Sequence, residues 1–170
     1  MNDEAWLWKL VETYERPLCR YACSLTGSAS SAQDAVQETF LRLCKADRAK
    51  LEGHEAAWLF RVCRSRVFDM KRKEKPVQTM TDRQRACIPS PDPTPAEQAQ
   101  RNETEATVPR LISRLPERQR EAIRLKFQQS LSYREIARVM GVSETNVGFL
   151  IHTGIKSLRE QMQTLQGALS

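Results

Sequence analysis

The chain has 170 residues, 40% of them hydrophobic, with a formal net charge of +6; that is enough for one medium domain or two small ones, and too apolar for wholesale disorder. Its five cysteines (Cys19, Cys23, Cys44, Cys63 and Cys87) lack zinc-knuckle spacing beside the two histidines, His54 and His152, which argues against a metal site or a disulfide framework and for reduced thiols that pack as small hydrophobes. No apolar run approaches a membrane span and the acidic, then aromatic N-terminus is no signal peptide, so a cytoplasmic protein without membrane insertion is expected.

Glycine is scarce and strand-type alternation is hard to find, so the expected class is all-α. Residues 3–26 read as a first helix, with Leu7, Leu10, Val11, Tyr14, Leu18, Tyr21, Ala22 and Leu25 along one face. Asp3 is placed to cap its start and Gly27 its end, while Pro17 predicts a kink or a local break. Ser31 and Asp34 resemble a capping box and predict a second helix over 31–46, with Val36, Phe40 and Leu43 inward. A third helix is expected from about His54 to Lys73, with Leu59, Val62, Cys63 and Val67 inward and a charged run ended by Pro76.

Residues 76–102 lose periodicity and hold five of the eight prolines, the mark of an extended, flexible linker. The helical pattern returns near Thr107. Val108, Leu111, Ile112 and Leu115 define a short helix; Pro116 suits the first turn of the next, which carries Ile123 and Phe127. Ser132 and Glu135 form a capping box before a further helix. The fold expected is two small helical domains, 1–75 and 107–170, joined by a flexible linker at 76–106. Their formal charges are +3, +5 and −2 respectively, two basic blocks flanking an acidic spacer.

Tyr133 to about Leu158 has the layout of a DNA-binding helix-turn-helix. Ala137 is small enough for a close crossing, Gly141 suits a turn at positive φ, and Ser143 caps the second helix. Val147, Ile151 and Leu158 anchor that helix. Its exposed candidates for the major groove are Glu144, Thr145, Asn146, Phe149, His152, Thr153 and Lys156. Asn146 suits adenine, and Thr145 or Phe149 a thymine methyl. Arg118, Arg120, Arg134 and Arg138 are placed for phosphates.

On the second helix Asp34, Gln37, Glu38 and Leu41 share a polar, acidic face centred on one exposed leucine. The stretch D-A-V-Q-E-T-F-L-R-L at 34–43 resembles the polymerase-binding helix of extracytoplasmic-function sigma factors of bacterial RNA polymerase. W-L-F-R-V-C-R-S-R-V-F-D-M-K-R-K at 58–73 resembles their promoter-melting helix. L-P-E-R-Q-R-E at 115–121 and S-Y-R-E-I-A at 132–137 resemble the opening of their C-terminal domain. All four stand in family order over about residues 5–162.

The resemblance implies a sigma factor rather than an enzyme, with no cofactor, metal or catalytic residue. It implies that Asp34, Gln37, Glu38 and Leu41 contact the β′ clamp helices of core RNA polymerase. The third helix and the loop 46–54 would open and read the −10 element, using Arg61, Arg64, Ser65, Lys71, Arg72 and Lys73, with a base flipped into a pocket. Arg118, Arg134, Ser143, Thr145, Asn146, Phe149, His152 and Lys156 would serve the −35 element. The β flap, promoter DNA and an anti-sigma factor complete the partners. Two departures stand out: Ser65 replaces the family's usual Asn, and the recognition helix has lost most of its basic residues. Gly148 and Gly154 are each expected to weaken that helix by about 1 kcal/mol relative to alanine. The alternative is a helix-turn-helix regulator that does not act as a sigma subunit.

Overall fold

The computed structural model describes residues 3–74 and 107–170, and all regular structure among them is helical. The linker expected at 76–106 lies outside the described residues. Two compact units emerge. The first contains α1 (Asp3–Thr26), α2 (Ala29–Cys44), α3 (Arg48–Leu51) and α4 (Glu55–Glu74). The second is built on α5 (residues 107–113), α6 (Glu117–Phe127), α7 (Tyr133–Met140) through its Ala137, and α8 (Glu144–Ala168).

In the first unit α1 runs unbroken through Pro17, which removes one backbone donor without ending the helix. Gly27 ends it at φ +69°, donating its N–H to the Cys23 carbonyl at 2.8 Å. That reversal leaves Ser28 extended, and its hydroxyl accepts the Ser31 N–H at 3.3 Å. Ser28 is therefore the cap of α2 and Ser31 already lies inside the helix, which corrects the expected start. Asp3 does not cap α1; it lies in the first turn and its carboxylate accepts from Arg48 Nη1 at 2.9 Å. The short α3 falls where a loop was expected, and Asp47 caps it by accepting the Ala49 N–H at 3.1 Å.

The three long helices of this unit pack on one another. Leu18, Leu43, Leu59, Phe60, Cys63 and Val67 are fully buried. Phe60 is the largest of them, meeting Tyr21 edge-on at 5.2 Å and Tyr14 at 6.5 Å between ring centroids. Of the expected inward residues, Leu7, Val11, Tyr14, Phe40 and Val62 are only half-buried.

Cys19, Cys44 and Cys63 are free. Burial pushes the Cys63 thiol up from 9.0 to about 12, against a smaller opposing effect of its hydrogen bond with Thr39. A thiol raised in the folded state favours folding below its ordinary value, and that contribution is lost as pH rises from 9.0 through about 12. The expected outcome at neutral pH is that iodoacetamide alkylates exposed Cys44 and spares Cys63 until the protein unfolds. Mass spectrometry of tryptic fragments checks this; equal native labelling of the two would refute it.

In the second unit α6 packs on α8. Ile112, Leu115 and Ile123 form a core against which Leu158 lies half-buried. Gly154 is buried on α8, and a Cβ there would come within 2.5 Å of Ile123 Cδ1 and 3.5 Å of Gln119 Cβ. The expected weak point of the helix is thus a place where α8 and α6 approach closely. Phe127 is 61% exposed rather than inward, because α6 ends on it and the chain turns away through Ser130 at φ +55°. Val108 is also exposed.

Candidate functional site

The polar face of α2 forms as expected. Ala32, Ala35, Val36, Thr39 and Leu43 are buried, and the buried Thr39 hydroxyl donates to the Ala35 carbonyl at 2.7 Å. Asp34 and Gln37 are exposed, and Leu41 is 60% exposed. A single exposed leucine is ordinary on a protein surface and does not by itself mark a contact. Glu38 is half-buried and accepts from Arg42 Nε at 3.2 Å, one helical turn away. Such a pair at the surface is worth about 0–1 kcal/mol, so a stronger partner displaces it readily.

On α4, Arg61, Arg64, Ser65, Lys71 and Arg72 lie within about a third of the helix circumference at 3.6 residues per turn. Arg61, Ser65 and Arg72 are exposed; Arg64 and Lys71 are half-buried at the border of this face. Lys73 is exposed but points away from the others by the same geometry. Arg72 pairs with Asp69. Arg64 lies over the Phe68 ring at 4.5 Å and Lys71 at 5.6 Å from its centroid. Residues 46–52 wall one side of an open cleft of about 510 Å³ whose other side is the start of α1. Arg48 sits there, 5.6 Å over the Trp6 ring and paired with Asp3. Neither Phe68 nor Trp6 stands out in the sequence, since aromatic residues at helical spacing read as core.

The helix-turn-helix forms around its expected residues. The Ser132–Glu135 capping box is complete, with bonds of 3.2 and 2.7 Å. Gly141 adopts φ +67° and donates to the Ala137 carbonyl. The Ser143 hydroxyl accepts the Asn146 N–H at 3.1 Å, so it is engaged in capping α8. Val147 and Ile151 are buried inward. Outward stand Thr145, Phe149, His152 and Lys156, all exposed, with Asn146 and Thr153 half-buried. Phe149 is 66% exposed, so it is no core residue. Arg118 and Arg134 are exposed, and Lys126 lies 5.3 Å over the Tyr133 ring. Burial, and then the charge of Arg120, push the Arg124 guanidinium below its ordinary value. Among the described residues no His/Cys/Asp/Glu cluster suits a metal ion, and no helix is long and apolar enough to cross a membrane.

This is the architecture of sigma factors. Residues 10–77 match the family model for Sigma-70 region 2, and residues 106–158 match that for Sigma-70, region 4. The chain is 31% identical to the ECF RNA polymerase sigma factor SigL of Mycobacterium tuberculosis, over 96% of this chain and 92% of that protein. It is 29% identical to SigM of Bacillus subtilis, over 81% and 83%. Among solved structures it resembles CnrH in complex with the cytosolic domain of CnrY (TM-score 0.63, 24% identity, 96% of this chain and 90% of that one). It also resembles the sigma factor RpoE in complex with the anti-sigma factor NepR from Bartonella quintana (TM-score 0.64, 22% identity, 91% and 95%). The chain belongs to the extracytoplasmic-function sigma factors of the sigma-70 family. It is a sigma factor that directs promoter recognition and transcription initiation, and the reading as a regulator outside the sigma class is not favoured.

Proposed function

We propose that residues 1–75 dock on core RNA polymerase and open the −10 element, that 107–170 read the −35 element, and that 76–106 tether the two. The observation that carries this division of labour is the α2 face, where Asp34, Gln37 and Leu41 stand in solvent around Glu38. In this reading those four side chains meet the β′ clamp helices. Arg61, Arg64, Ser65, Lys71, Arg72 and Lys73 then act on the melted strand. The second unit meets the β flap as well as duplex DNA. The protein works by binding, not as an enzyme, in the cytoplasm, and an anti-sigma factor restrains it, as NepR pairs with the RpoE neighbour.

Replacing Gln37 and Glu38 together by alanine is expected to weaken binding to core polymerase by about tenfold or more, equivalent to removing one or two charge-assisted hydrogen bonds. Helical content should not change, because neither side chain is buried. Titration of core enzyme with labelled protein tests this; unchanged affinity would remove the basis for assigning the face.

In the second unit, Asn146→Ala is expected to relax discrimination at one −35 position by roughly 1–3 kcal/mol. With Ser143 occupied as a cap, Asn146 is the best side chain left near the start of α8 for a base edge. Selection from a randomised −35 library checks it. An unchanged preference would mean that α8 does not read bases through Asn146.

A further inference from the structure

We propose that Gly148 is a specificity-determining residue of the −35 contact, a gap among the side chains of α8 through which base edges come up to the helix backbone. The inference rests on the reading of α8 as the helix that enters the major groove. α8 contains three glycines, Gly148, Gly154 and Gly167, and a glycine inside a helix lowers its stability relative to alanine. Packing accounts for Gly154, because a Cβ there would come within 2.5 Å of Ile123 Cδ1. It does not account for Gly148. A Cβ at that position would meet nothing nearer than Tyr133 Cε2 at 3.7 Å, an ordinary van der Waals contact. Nor does the backbone require glycine, since Gly148 lies within α8 and is not among the glycines with positive φ.

Gly148 stands three residues after Thr145 and four before His152, the spacings at which helical neighbours meet. Thr145 and His152 are exposed, and so is Tyr133, the first residue of α7. The missing side chain leaves a notch between two outward side chains of α8 and beside the ring edge of Tyr133. Glycine lets a backbone approach a ligand closely because no Cβ stands in the way. A Cβ would reach about 1.5 Å beyond the Cα that forms the floor of the notch. Hydrogen bonds to base edges are lost over a shorter distance, since their donor–acceptor separations lie within about 2.7–3.2 Å. Side chains flanking the notch therefore reach the bases only while α8 sits at its full depth in the groove. Phosphate contacts are less exacting, because Arg118 and Arg134 are exposed and long enough to follow a small displacement. Gly148 sets discrimination between sequences and leaves general attraction to DNA alone.

The test uses the full-length chain assembled with core polymerase and two duplexes, one with the −35 sequence the parent selects from a randomised library and one with that sequence scrambled. Gly148→Ala is expected to lower the ratio of the two affinities about tenfold, the loss of one good base contact. Affinity for the scrambled duplex and the slope of log affinity against log salt should not move, because the phosphate contacts remain. In the free full-length chain the same variant should slow hydrogen exchange of the α8 amides about fivefold, alanine being the better helix former. A glycine with only a structural role would not give a firmer helix together with poorer discrimination. Gly148→Ser should lose discrimination as well. Gly167→Ala, where a Cβ meets nothing within 4 Å, should keep it. The proposal is overturned if Gly148→Ala and Gly148→Ser discriminate as the parent does, or if Gly167→Ala loses as much as they do. If the library yields no preferred −35 sequence for the parent, the reading of α8 fails, and the role of Gly148 with it.

Discussion

Phe60→Ala is expected to destabilise the first helical unit by about 3–5 kcal/mol, the range for truncating a buried phenylalanine. Phe60 is 1% exposed and lies where α1 and α4 meet, with Tyr14 and Tyr21 edge-on to its ring. Ring pairs in that arrangement contribute about 0.5–1.5 kcal/mol each beyond the area they bury. Small domains have stabilities of about 5–15 kcal/mol, so one substitution removes a large part of the margin. All three tryptophans, Trp6, Trp8 and Trp58, lie in this unit. Tryptophan fluorescence during urea unfolding therefore reports on it alone. A change below about 1 kcal/mol would show that the cavity collapses or that the ring is not packed as described.

The second large effect is electrostatic. Neutralising Lys71, Arg72 and Lys73 together is expected to flatten the salt dependence of single-strand binding by about 2, at about 0.7 for each phosphate neutralised. At about 0.1 M salt the same slope corresponds to about a hundredfold loss of affinity. The pairing of Arg72 with Asp69 does little to shield the cluster, because Arg72 is exposed and such pairs contribute about 0–1 kcal/mol. Open-complex formation should fall in step. Permanganate reactivity of thymines in the melted region measures it directly. An unaltered footprint in the triple variant would take this end of α4 out of the melting step.

Most of the helical layout was legible from periodicity and capping chemistry. The apolar stripe of α1, the Ser132–Glu135 box, the positive φ of Gly141 and the Ser143 cap all follow from local rules, and local rules are what a linear sequence displays. The α2 face was legible for the same reason: Asp34, Gln37, Glu38 and Leu41 are set by one helix's own geometry. What escaped depends on neighbours that are distant in sequence. Ser28 and Ser31 are both good caps, and only the tight reversal at Gly27 decides between them. The four residues of α3 are too few to show a period. Gly154 looks like a defect until Ile123 is known to press against it. Phe127 has the spacing of an inward residue and lacks a following turn to cover it. Phe68 shows the limit most plainly, because its sequence context gives an aromatic among cations and only the folded side chains show which of them lie over its ring.

The recognition helix does not stop where its groove-facing residues stop. α8 continues to Ala168, 25 residues in all, a rod about 37 Å long at 1.5 Å per residue. Its first four turns carry the residues read here as base-facing, and the rest stands clear as a largely exposed arm. A rigid rod anchored at one end is a lever. Tilting the first turn by about 10° swings the last by about 6 Å for a rod of this length. A small difference in how the first turn seats on two promoter sequences becomes, at Leu165 or Leu169, a displacement of molecular size, so the far end of this helix reports the angle at which the near end is held.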